Sequence, residues 1–61
     1  MIQIYPTQVG FKLVADEFCV AITVQEARKK LRESIRNGDN QVRLNLLRRG
    51  IDVFNKYVAG L

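Results

Sequence analysis

The chain is 61 residues long, enough for one small domain, and carries ten Lys or Arg against six Asp or Glu for a formal net charge of +4. Its only cysteine, Cys19, excludes an internal disulfide, and the lack of histidine excludes the usual zinc-ligand sets. At 48% hydrophobic and 26% charged residues, and with no apolar run near the ~20 residues of a membrane span, the composition is that of a folded soluble domain.

A domain this short buries only about 60% of the surface its unfolded chain exposes, and disulfides, metals or association usually supply the remaining stability. With the first two excluded, association is expected, in the form of a homodimer. The unpaired cysteine and an opening Met-Ile-Gln-Ile without a charged leader point to the reducing cytoplasm.

Residues 2–22 read as β-structure. Ile2 and Ile4 alternate with Gln3 and Tyr5 until Pro6, which cannot donate to a ladder and belongs at a strand end or sheet edge. After Gly10 comes the extended stretch Phe11-Lys12-Leu13-Val14-Ala15, then a polar Asp16-Glu17 turn, then Phe18-Cys19-Val20-Ala21-Ile22. Pairing the last two as a hairpin sets Leu13 opposite Val20 and Phe11 opposite Ile22 on one apolar face. The other face, with Lys12, Val14, Cys19 and Ala21, is apolar enough to predict cover on both sides or a further strand at the edge. Cys19 is read as a small buried hydrophobe rather than a nucleophile, because no base accompanies it.

At Thr23 the period changes. Thr23-Val24-Gln25-Glu26 fits a capping box, and Val24, Ala27, Leu31 and Ile35 recur at helical spacing, predicting a first helix over 24–37. Asn37-Gly38 ends it, Gly38 supplying a left-handed residue. Asp39 or Asn40 then caps a second helix running to residue 58. Along it, Leu44, Leu47, Ile51, Phe54 and Val58 form a core stripe. Val42, Leu46 and Val53 form a second stripe, with Gly50 and Tyr57 between the two. The apolar arc is wider than the ~100° that one packed face requires. Val42, Leu46, Gly50, Val53 and Tyr57 are therefore expected at an oligomer interface, where Gly50 would let two backbones approach. The fold expected is α+β, a single domain over 1–61 with a short antiparallel sheet followed by two helices.

Catalytic constellations are missing. There is no histidine for general-base work, the one serine (Ser34) sits on a helix face, and the six acids are scattered. The four glycines are too dispersed to cradle a phosphate. No enzyme, metal site, cofactor or small-molecule substrate is expected.

The basic residues are clustered. Residues 24–49 hold eight bases against three acids, a net of +5, and six of those eight bases are arginine. Arg28, Arg32 and Arg36 recur every four residues with Lys29 beside them, while Glu26 and Glu33 lie on the far side of the helix. Only Glu26–Lys30 and Lys29–Glu33 have the spacing of an intrahelical ion pair. Arg43, Arg48 and Arg49 on the second helix extend the cluster. Arginine meets phosphate and carboxylate through two parallel hydrogen bonds, so the segregated set points to an anionic partner.

A strand at 18–22, a helix, the turn Gly38-Asp39-Asn40, a second helix and a basic surface together resemble the ribbon-helix-helix family of small DNA-binding regulators over residues 17–58. The resemblance implies a dimer that binds DNA through strands in the major groove and contacts phosphate at the start of the second helix. The function expected is thus that of a nucleic-acid-binding regulator, acting through Arg28, Lys29, Arg32, Arg36, Arg43, Arg48 and Arg49. The alternative is a protein-interaction module, such as a phage-type inhibitor or adaptor, that docks the same residues on an acidic protein. A membrane-surface role is weaker, since the first helix has a narrow apolar stripe that includes Ala27 and Ser34.

Overall fold

The structure is a computed structural model that describes residues 2–38 and 40–61. Three strands precede two helices: β1 (Gln3–Pro6), β2 (Gly10–Ala15), β3 (Phe18–Thr23), α1 (Val24–Asn37) and α2 (Gln41–Ala59). The strands form one antiparallel sheet in the order β1-β2-β3. The expected hairpin is present in the expected register, with Phe11 opposite Ile22 and Leu13 opposite Val20. Ile4 lies opposite Leu13 on the other side of β2, and Pro6 closes the edge strand opposite Phe11. Short polar turns join the strands. Between β1 and β2 the Thr7 hydroxyl accepts from the Gly10 amide at 2.9 Å, and the Thr7 amide donates to the Gly10 carbonyl at 2.9 Å.

Both helices lie on one face of this sheet. Period-two alternation directs Ile4, Phe11, Leu13 and Ile22 to that face, where they meet Ala27 and Leu31 of α1 and Leu47, Ile51 and Phe54 of α2. Phe11 is the centre of the core at 0% exposure, and Ala27 is equally buried. α2 crosses β1 and β2 and runs beside α1, while α1 rests on β3 and β2.

The helix ends follow local chemistry. The Thr23 hydroxyl accepts from the Glu26 amide at 3.1 Å, which is one half of the capping box. The Val24 amide donates to the Val9 carbonyl at 2.9 Å and so ties the start of α1 to the β1–β2 turn. Gly38 ends α1 in the left-handed region at φ 69°, as its sequence context predicts. Asn40 caps α2, its side-chain oxygen accepting from the Val42 amide at 2.8 Å. The other expected cap, Asp39, lies outside the described residues.

Two expectations are corrected. Gly50 does not face another subunit: it is buried, and the Phe11 ring lies against it so closely that a methyl group there would overlap the ring. The close approach it permits is between α2 and the sheet of its own chain. Cys19 is exposed rather than buried. The sheet is covered on one face only, so Cys19 and Ala21 on its outer face meet solvent. The breadth of α2's apolar arc has an internal cause as well, because α1 packs beside the helix while two strands lie beneath it. Of its second stripe Leu46 and Val53 are half-buried, while Val42 and Tyr57 are exposed.

Candidate nucleic-acid interface

α1 is anchored by Ala27, Leu31 and Ser34, which recur at the three- and four-residue intervals that stack side chains on one helix face. The same periodicity turns Lys29, Arg32 and Arg36 to the opposite, solvent side, with Arg28 on the flank. All four are exposed. Lys29, Arg32 and Arg36 line one shallow depression along the helix, and Glu33, expected on the far side from them, lines it as well. Three of the seven basic residues expected to bind an anion are thereby brought into one depression, and Arg28 adjoins them along the helix.

The remaining three are placed differently. Arg43, near the start of α2, shares a second depression with Lys30, Glu33, Ser34 and Asn37. Glu33 borders both depressions and separates Arg43 from Arg32 and Arg36. Arg48 and Arg49 are exposed on α2 and line neither depression. The α1 bases Lys29, Arg32 and Arg36 thus share one depression that Arg43, Arg48 and Arg49 of α2 do not line.

The only ion pair among the described residues is Lys56–Asp52 at 3.3 Å, on the exposed side of α2. Neither Glu26–Lys30 nor Lys29–Glu33 closes, although both have the spacing for it. An exposed pair of this kind is worth about 0.3–0.5 kcal/mol, too little to hold two long side chains against solvent. The α1 bases therefore form no ion pair with a described residue of the chain, although Glu33 stands among them.

Lys30 was not among the expected binding residues. It stands three residues after Ala27 and four before Ser34, on the flank of the packed stripe opposite Arg28. With Arg43 it rims a groove whose floor is Leu13, Phe18, Val20, Ile22, Leu46 and Leu47. A lysine adjoining two buried helix positions was the available signal. The groove beside it depends on how β3 and α2 diverge, which no local pattern encodes.

Among the described residues no group of three or more His, Cys, Asp or Glu could hold a metal ion, and no helix is long and apolar enough to cross a membrane. Comparison of the chain with protein-family models, with curated proteins and with solved structures finds no match.

Proposed function

We propose that this protein is a small, non-enzymatic nucleic-acid-binding regulator that seats backbone phosphates on the solvent face of α1. One observation carries the proposal: Lys29, Arg32 and Arg36 line a depression on α1 together with Glu33, Arg28 lies beside them, and none of these four bases forms an ion pair with a described residue. Side chains held by a helix keep a fixed spacing, and an arginine that has no internal partner loses no ion pair on meeting a phosphate. Phosphate contacts position a protein on a nucleic acid without reading its sequence, so weak sequence preference is expected. The outward side chains of β3 are Cys19, Ala21 and Thr23, and the Thr23 hydroxyl already accepts from the Glu26 amide, so the strand offers little hydrogen bonding to base edges, in keeping with that expectation.

Fluorescence anisotropy with labelled duplex DNA and RNA at low salt tests the proposal. The wild-type chain should bind, and the double variant Arg32→Ala/Arg36→Ala should lose at least tenfold in affinity while keeping its circular dichroism spectrum. Absence of binding to every duplex and single strand tried would overturn it. The second reading, a module that docks on an acidic protein, is favoured by the apolar groove beside β3, a feature phosphate binding does not use. A discrete protein retained from nuclease-treated lysate, with loss on the same double variant, would select that reading.

A further inference from the structure

We propose that the open edge of β3 and the groove beside it form a second binding site, separate from the α1 strip. Its occupant is an extended, acidic segment of a partner protein that adds to the sheet as a fourth strand. The partner's inward side chains enter the groove, and an inward carboxylate meets Lys30 and Arg43. This site stands whether or not α1 binds nucleic acid.

The edge is the first ground. In the order β1-β2-β3, one side of β3 pairs with β2 and the other has no partner strand among the described residues. Natural edge strands are guarded by charges, prolines or bulges, because unpaired backbone groups template association. β1, the opposite edge, ends on Pro6. β3 reads Phe-Cys-Val-Ala-Ile-Thr: six residues with no charge and no proline, all exposed except the half-buried Ile22. Such an edge is suited to strand addition.

The groove is the second ground. Phe18 and Val20 lie on the helix-covered side of the sheet, in phase with Ile22, yet they remain 44% and 41% exposed. With Leu13, Ile22, Leu46 and Leu47 they line a groove of about 250 Å³. Successive inward residues of a strand are about 6.4–6.8 Å apart. A strand laid along β3 would set two of its inward side chains beside Val20 and Phe18, closing the groove from the edge.

Charge selects the occupant. Lys30 and Arg43 rim the groove on its helix side, and neither forms an ion pair with a described residue. A strand whose inward set ends in a carboxylate would answer both. A second copy of this chain would not, for its β3 contains no acid and each copy carries +4. A nucleic acid has neither the backbone amides to continue the ladder nor apolar side chains for the groove.

The test uses the full chain, nitrogen-15 labelled, and a blocked heptapeptide with Glu, Val, Val and Glu at its odd positions and Thr between them. Glutamate at both ends serves either strand direction. Expected are amide shifts in β3 and at Lys30, Arg43 and Leu46, weakened about tenfold by Lys30→Glu/Arg43→Glu. The same peptide with Lys for Glu should bind the wild-type chain at least tenfold more weakly, and N-methylation of its backbone should abolish the β3 shifts. Thermal melts of the double variant check that the fold persists. The proposal is overturned if the peptide leaves β3 unshifted at millimolar concentration, or if the Glu and Lys peptides bind equally. It also fails if shifts are confined to the α1 strip. Light scattering supplies one more: a dimer that Ala21→Glu converts to monomer would assign the β3 edge to a second copy.

Discussion

The contact between Phe11 and Gly50 decides how α2 sits on the sheet. Among the described residues Phe11 is the one large side chain that is completely buried, and the helix passes over its ring at a residue with no side chain. Replacing Gly50 with Ala sets two effects against each other. Alanine favours a helix interior by about 1 kcal/mol over glycine. A methyl group forced into a filled core costs about 1–3 kcal/mol, and here it would overlap the ring of the fully buried Phe11. The cost is expected to win, leaving Gly50→Ala less stable by about 1 kcal/mol in urea denaturation. A gain in stability would show that ring and helix separate easily. The sequence made Gly50 conspicuous, set between two apolar stripes, but could not say what stood opposite. That partner is Phe11, from the second strand, and a contact so remote along the chain leaves no local periodicity. Cys19 was misread for a related reason: strand alternation assigns it to a face, while only the placement of the helices decides whether that face is covered.

At the level of elements, the local signals were the legible ones. The expected helix over 24–37 is α1 as found, because its two ends are built from adjacent residues: Thr23 at the start and Gly38, at φ 69°, at the finish. The β2–β3 register was equally readable, since a two-residue turn and an alternating pattern fix it together. The partner strand of β1, and the edge it leaves open on β3, were not readable from pattern alone. Neither was the separation of Arg43, Arg48 and Arg49 from the α1 strip, because the crossing of two helices is set by the core they share. The cap itself can be weighed. Thr23→Ala removes the acceptor of the Glu26 amide, and loss of such a cap typically costs about 1 kcal/mol. Thermal unfolding of Thr23→Ala should show a midpoint lower by several degrees, as that energy implies for a domain of this size. Thr23→Ser, which keeps the hydroxyl, should recover most of the loss. Equal destabilisation by both variants would mean that the threonine acts through packing at the end of β3 instead.

Across the whole molecule, charge is divided between layers. The segment with the helix α1 and the first half of α2 carries +5, whereas residues 1–23, which hold the sheet, carry −1. A polyanion is therefore expected to approach from the helical side, and salt should report how many bases it meets. Each phosphate neutralised on duplex DNA contributes about −0.9 to the slope of log affinity against log salt. Contacts by Arg28, Lys29, Arg32 and Arg36 imply a slope of about −3 to −4. Removing two of them, as Arg32→Gln/Arg36→Gln, should lower its magnitude by about two, whereas Lys12→Gln in the sheet layer should leave it unchanged. A slope equally sensitive to Arg48→Gln/Arg49→Gln would move the interface onto α2 and contradict the separation of charges described above. The slope also discriminates between partners, since a folded acidic protein lacks the condensed counterions that a duplex releases. Anisotropy titrations at four salt concentrations measure it directly. A magnitude near one, unchanged by Arg32→Gln/Arg36→Gln, would remove the α1 strip from nucleic-acid binding and leave the acidic-protein reading for that face.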